Sequence, residues 1–524
     1  MKRYIKQGFG LFILASVLAA SISCNKFLDR KPLTATLDDL NGVLEQSALN
    51  LYSLLRGFDY AGLNSLPWLD FYVIRGDDAA KGSSSTDGAE IDAEFDTYVY
   101  TKDDWATNTF WNDNYRLLAQ ANQLLYVADS LKPTDEASLR NIGEAHFFRA
   151  YAFFGLVRAY GEVPLINFYF TNAADGLIAK SSVADVYAQI DKDLDTASQL
   201  LPDTWFNAVT NQNLYPGRAT SGAANTLWAQ AYIDRKQWSK VAELCNKVVT
   251  SGQYSLLDNF KDVWLDGVNG VGKNSKESIF EIQATVGQNG ANDYEAPFGT
   301  MQSIRVEGSY PDRNWDLGWG WGVPTQKLVD DWDSTDPRRN MTILFSGRYD
   351  GGPATGGFGV TLPKYVPDYG LDRPYWNKKI YIGEDPAMRQ YTGKVSGTGG
   401  WINRRVLRYS DVLLMLAEAS NEQGDGATAE TYLEMVRARA RASGPNPNAL
   451  PHIAYQSQSQ MRQAIKDERR WEFAMEGYRF YDLVRWGDAL TVLGPLGYTA
   501  RCNYYPIPQP AINLNKNLVQ NPLW

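Results

Sequence analysis

Residues 141–161, NIGEAHFFRAYAFFGLVRAYG, would be apolar on nearly every side of a helix. A helix of that kind cannot lie on a surface, so other elements must surround it. Gly161 and Pro164 close it. Its neighbours in the chain are helical too. In residues 115–131, Leu118, Ala121, Leu125 and Ala128 recur at three- and four-residue spacing, and Pro133 stops the run. Residues 183–202 are amphipathic behind an N-cap at Ser182. The periodicity predicts an all-α stack rather than a sheet.

Two stretches read as helical hairpins of the tetratricopeptide (TPR) kind. In 219–250, Ala229 and Tyr232 lie on a first helix and Ala242, Cys245 and Val248 on a second. In 409–441, Ala417 and Ser420 are followed by Ala429, Leu433 and Val436, and the small residues permit a close helix crossing. Packed hairpins suit binding more than chemistry. Residues 251–404 have another texture. They are rich in Gly, Asp, Asn, Trp and Tyr, with a β-like piece at 277–285 and flexible loops at 351–359 and 394–400. Residues 60–114 are similarly rich in loops. Long irregular regions on a helical scaffold are where function is expected.

Composition narrows the function. With 51 basic and 60 acidic residues the net charge is −9, which argues against a nucleic-acid partner. Two histidines, His146 and His452, leave little for a metal site or a His-relayed nucleophile. No P-loop, GxSxG, HExxH or CxxC occurs, and no cofactor or metal is expected. The N-terminus reads as an address. Lys2, Arg3 and Lys6 precede an apolar run from Phe9 to Ala20, short of a membrane span, and SISC ends at Cys24. Residues 1–23 are expected to be a signal peptide, with Cys24 acylated after cleavage. Cys245 and Cys502 then remain, either as a disulfide or as two separately buried thiols, the second reading being preferred.

Several long segments resemble the SusD/RagB family. They are CNKFLDRKP (24–32), GEAHFFRAYAFFGLVRAYGEVPLI (143–166), LRYSDVLLMLAEASNE (407–422), ERRWEFAMEGYRFYDLVRWG (468–487) and YYPIPQPAINLNKNLVQNP (504–522). They run in family order from Cys24 to the last residues. The resemblance implies a surface-facing outer-membrane lipoprotein that binds glycan and lies over a SusC-like TonB-dependent transporter. It also implies an all-helical fold with about four TPR units and an irregular ligand-binding region. The expected division is 24–250 helical, 251–404 loop-rich and ligand-binding, and 405–524 helical again.

A sugar presents apolar C–H faces and many hydroxyls, so its site wants flat aromatic platforms with polar rims. Two clusters fit. One is residues 67–78, with Trp68, Phe71, Tyr72, Arg75 and Asp77; Asp77 and Asp78 also suit a turn or cap. The other is residues 310–322, with Tyr310, Arg313, Asn314, Trp315, Trp319 and Trp321, joined by Tyr294. Trp319 and Trp321, two apart, point the same way if that piece is extended. Trp315 and Trp319 are expected to face ligand more than core, whereas Trp321 and Asp336 also read as fold determinants. Acids and arginines in 468–487 fall at i,i+3, as Glu476 with Arg479 and Asp482 with Arg485, and are expected to form a structural ladder on one helix. Asp411, Glu418 and Glu422 belong with them. Catalysis is not expected. Two rival functions remain open at this point: a surface glycoside hydrolase, and a structural transporter lid without its own sugar site.

Overall fold

The computed structural model describes residues 40–56, 62–63, 65–84, 87–88, 92–207, 209–210, 212–266, 271–285, 297–306, 315–366, 373–381 and 401–524. Cys24 and the leader, Tyr294, Tyr310, Arg313 and Asn314 lie outside them.

Ten helices carry the scaffold: α1 (Leu40–Arg56), α2 (Trp105–Leu131), α3 (Glu136–Tyr160), α4 (Val183–Leu200), α5 (Ser221–Asp234), α6 (Trp238–Thr250), α7 (Tyr409–Glu422), α8 (Gly426–Ala442), α9 (Gln458–Phe473) and α10 (Arg479–Trp486). As the residue pattern predicts, α3 is central. It packs on α1, α2 and α4, and Phe147, Phe148, Phe153 and Leu156 are wholly buried. It starts earlier than the apolar run, because Asp135 caps it by accepting a hydrogen bond from the Ser138 amide at 2.9 Å. It ends at Gly161, whose φ of 72° few other residues adopt. Likewise α2 begins at Trp105 rather than at 115, since Ala106, Phe110 and Trp111 extend its buried stripe. The Ser182 cap on α4 is present, its hydroxyl accepting from the Asp185 amide at 3.1 Å. The two predicted hairpins form as α5–α6 and α7–α8, and α6 packs against α7.

The loop-rich region is tied into this scaffold by short antiparallel strands. β1 (Ala79–Gly82), β2 (Ser278–Ile282), β3 (Trp321–Pro324), β4 (Ile343–Phe345), β5 (Tyr375–Asn377) and β6 (Arg404–Arg408) pair as β1 with β3, β2 with β6 and β4 with β5. The β-like piece at 277–285 is β2. In the first pair Ala79 faces Pro324 and Gly82 faces Trp321, so the strand that follows the first aromatic region is paired with the end of the second. A second, smaller core lies beside it, built from Ile304, Trp315, Leu317, Leu344 and Trp376.

One expectation is corrected. Residues 468–487 are not one helix. α9 ends at Phe473; Met475 (φ 68°) and Gly477 (φ 86°) turn the chain, and α10 begins at Arg479. Gly477 lets the turn approach Tyr72, for an added Cβ would fall 2.9 Å from the tyrosine Cβ. Glu476 is therefore in the turn. It pairs with Arg408 at 2.9 Å and Lys379 at 2.6 Å instead of Arg479. The Asp482–Arg485 pair does form, at 2.8 Å. Asp411 pairs with Arg469, Glu418 with Arg485 and Glu422 with Arg462, all as structural ties.

Glu476 belongs to a buried network. Arg338, Arg408, Arg437, Arg439 and Lys379 meet Asp336, Glu277, Glu468, Glu472 and Glu476, five cations to five carboxylates. Burial alone would raise the Glu472 carboxyl, but Arg439, Arg408, Arg338 and Lys379 hold it well below the usual range. Burial pushes Lys379 down to about 8 against the pull of Glu476. Balanced charge makes the network tolerable in the interior, and removing one partner costs about 3–5 kcal/mol. Cys245 and Cys502 are free and separately buried.

Candidate functional site

The residues expected to bind ligand fall into two environments. Trp68 is 4% exposed. The Arg404 guanidinium lies 4.3 Å from its ring centroid and Phe298 meets it edge-on at 6.1 Å. Tyr72 is half-buried and borders a cavity of about 60 Å³ shared with Tyr151, Arg158 and Arg404. Burial raises its hydroxyl well above the ordinary tyrosine value. Arg75 has no exposed surface. It is sandwiched between the rings of Phe480, 3.7 Å away, and Tyr505, 4.0 Å away, and donates to the Tyr100 hydroxyl at 3.2 Å and to the Cys502 carbonyl. Asp77 accepts from Arg479 at 2.7 Å and also faces Arg470 and Lys327. Burial works to raise its carboxyl, and the Arg479 bond and the three cations hold it below the usual range. Asp77 and Asp78 lie in a bend, in keeping with the turn reading, and their carboxylates also form a clamp. Asp78 accepts two bonds from Arg470, so the pair ties residues 65–84 to α9 and α10. These four candidates are taken up by the fold and offer no open platform.

The second cluster borders an open cleft of about 470 Å³, lined by Asp87, Thr300, Arg305, Asp316, Leu317, Gly318, Trp319 and Trp321. Its wall is held by backbone. The Leu317 amide donates to the Ile304 carbonyl at 2.9 Å, Trp319 to Thr300 at 3.0 Å and Gly320 to Ser303 at 2.9 Å. That last turn of ladder requires glycine at 318, where a Cβ would stand 2.1 Å from the Thr300 carbonyl oxygen. Gly320, at φ 72°, passes the chain into β3.

Three tryptophans on this segment have different fates. Trp315, expected to face ligand, is 3% exposed and packed in the small core. Its position alternates with that of Asp316, which is exposed. Trp319 is half-buried and lines the cleft. Trp321 borders the cleft but is only 5% exposed. Its ring meets Trp319 edge to face, centroids 5.3 Å apart at 70°, so it props the Trp319 indole from behind. Trp321, expected as a ligand contact or a fold determinant, is thus nearly buried while it lines the cleft. Asp336 is a fold determinant, capping the helix Pro337–Thr342 and binding Arg338.

The rim supplies polar groups the sequence reading missed. Arg305 pairs with Asp87, which also accepts from the Ser83 hydroxyl at 2.7 Å. Burial tends to raise the Asp87 carboxyl, and Ser83 and Arg305 outweigh it, leaving it below its ordinary value. Thr300 comes from the short helix Pro297–Gln302. Arg305 and Asp87 lie far apart in the chain, each amid loop residues without pattern, and only the β1–β3 ladder brings them together. Among the described residues there is no group of three His, Cys, Asp or Glu able to hold a metal ion, and no helix long and apolar enough to cross a membrane.

The chain was compared with known proteins. The sequence profile of the SusD family matches residues 276–501, and that of a group described as "Starch-binding associating with outer membrane" matches 72–233. SusD-like protein P2 of Formosa agariphila is 28% identical over 86% of each chain. The starch-binding protein SusD of Bacteroides thetaiotaomicron is 22% identical over 99% of each. Among solved structures, a laminarin-binding SusD-like protein is 26% identical with a TM-score of 0.70, covering 92% of this chain and 99% of its own. A SusD-like protein from Bacteroides fragilis is 24% identical with a TM-score of 0.74, covering 94% and 100%. The second likeness is one of fold.

Proposed function

Because this chain belongs to the SusD/RagB family, we propose that it captures glycan in the Trp319 cleft and delivers it to a SusC-like TonB-dependent transporter of the outer membrane. The observation that carries the reading is the open cleft itself. One indole, propped by a second, stands beside a rim of Arg305, Asp87, Asp316 and Thr300. The indole supplies a flat face for the C–H surface of a sugar ring, and the rim meets its hydroxyls. Arg313 and Asn314, next to Trp315 in the chain, and Tyr294 remain candidate contacts by sequence. The laminarin-binding relative supports a glycan as the ligand class, and the outer-membrane description of the matched group supports the location. Anchoring at the cell surface rests on acylation of Cys24.

Binding without bond cleavage fits the state of Asp87. A glycosidase acid must keep its proton near neutral pH, which needs a raised pKa. Asp87 is shifted the other way, by Ser83 and Arg305. The test is affinity electrophoresis of the purified protein against a polysaccharide panel, with reducing ends assayed in parallel. A retarded band that Trp319→Ala abolishes, with no new reducing ends, is the expected result. Reducing ends released by wild type would make the protein a hydrolase. No retardation by any polysaccharide, alongside a stable transporter complex, would make it a lid.

A further inference from the structure

We infer a second binding site, built from residues the Trp319 cleft does not use, that takes a single neutral ring bearing hydroxyls, such as one sugar unit. It is a cavity of about 280 Å³ between α3, α4, the end of α5, α10 and residues 503–504. That volume is near the lower bound of small-molecule sites, about 300–1,000 Å³, and suits one ring rather than a chain.

Two charged groups in its wall have only each other as ion-pair partners among the described residues. Arg158 and Asp234 have side chains only 17% and 15% exposed and approach each other at 3.2 Å. Neither side chain makes a hydrogen bond of good geometry to any described residue, and the Arg158 Nε is among the buried donors left without one. Burial raises the Asp234 carboxyl, which Arg158 only partly offsets. Charged groups this little exposed are usually hydrogen-bonded as well as paired, and this pair is not. Both groups border the same cavity, so a ligand there would complete them: a hydroxyl donating to Asp234 and a hydroxyl or ring oxygen accepting from Arg158.

The walls select the ligand's shape and charge. Arg158 is fixed over the Tyr481 ring at 3.8 Å. Tyr504 is 41% exposed, so its ring is reachable from solvent. It rests on Gly161, where an added Cβ would come within 3.1 Å of it. Its backbone is held by the Tyr505 amide on the Ala159 carbonyl at 2.8 Å and by the Trp524 indole on its own carbonyl at 3.0 Å. Tyr504 is therefore a seated platform rather than a loose surface residue. Arg485, also in the wall, is committed to Glu418 at 2.6 Å and Asp482 at 2.8 Å. The remaining pair, one guanidinium and one carboxylate, carries no net charge. A cation would be repelled by Arg158 and an anion by Asp234, whereas a neutral ring with donors and acceptors satisfies both.

The site goes beyond the cleft reading, and the two can fail separately. Glucose, galactose, mannose and xylose would each be titrated into the purified protein by ligand-observed NMR. Wild type, Trp319→Ala, Tyr504→Ala and Asp234→Asn would be compared, with melting temperatures alongside. At least one sugar is expected to bind wild type and Trp319→Ala equally. Tyr504→Ala and Asp234→Asn should each weaken it by about tenfold or more, Tyr504→Ala without a change in melting. The inference is overturned if no sugar saturates the wild type, if Tyr504→Ala binds like wild type, or if Trp319→Ala alone removes binding. Tyr504→Ala decides the matter if Asp234→Asn fails to fold.

Discussion

Residues 67–78 and 315–321 are written in the same vocabulary: tryptophans, charged side chains and glycine. They are also neighbours, joined across the β1–β3 ladder. Yet Trp68 is enclosed by Arg404 of β6 and by Phe298, and Arg75 and Asp77 by partners from α9, α10 and the C-terminal segment, while Trp319 and its rim stay open. The difference lies in what covers each segment. Phe480, Tyr505, Arg479 and Arg470 come from the end of the chain and close over Arg75 and Asp77. Over the second, the described chain supplies a prop behind Trp319 and a rim beside it, and no lid. An aromatic–charged cluster thus becomes core or platform according to which distant residues reach it.

Substitutions can break this contrast or sharpen it. The largest effect is expected where tryptophan is core. Trp68→Ala and Trp315→Ala should each cost about 3–5 kcal/mol in chemical denaturation, by leaving a cavity. A cost near zero for Trp315→Ala would return that residue to the ligand-facing class.

Asp77→Asn comes next, at about 1–3 kcal/mol near neutral pH, since it leaves Arg479 and Arg470 short of a charged partner. The pH dependence has a definite sign. The Asp77 carboxyl is depressed in the folded protein, so its contribution is present above the ordinary aspartate pKa of about 3.9 and lost as pH falls through the folded value. The stability gap between wild type and Asp77→Asn, measured by urea titration at several pH values, should therefore narrow in acid. A gap independent of pH would show that Asp77 acts through packing alone.

Trp319→Ala should be the mirror image of Trp68→Ala. Melting is expected to stay close to wild type, with glycan affinity falling by about 1–3 kcal/mol, taking base stacking as the analogue. Calorimetry with the best polysaccharide from the panel checks it. A large drop in melting with affinity intact would join Trp319 to the core. The smallest effect on stability is expected for Arg305→Met. The Arg305–Asp87 pair is about a third exposed on each side, and exposed pairs contribute about 0–1 kcal/mol. Its signature should be weaker glycan binding with an unchanged denaturation midpoint.

The sequence by itself determined the helical scaffold. α3 could be read from its all-round apolar surface, and α5–α6 and α7–α8 from small residues at helical spacing, because those signals are local and repeat every turn. The Ser182 cap and the Gly161 stop were legible for the same reason. The half-open Trp319 was legible as a candidate from its glycine-flanked setting. What the tertiary structure alone decided was the fate of each polar or aromatic side chain. Nothing near Arg75 in the chain announces Phe480 and Tyr505, nothing near Trp315 announces Trp376, and nothing in 468–487 announces that Gly477 must make room for Tyr72. Helix formation depends on residues three and four apart, whereas burial of a ring or a charge depends on partners that chain folding delivers from tens to hundreds of residues away. A site made of such partners, like Asp87 with Arg305 or Arg158 with Asp234, comes into being only when the fold closes.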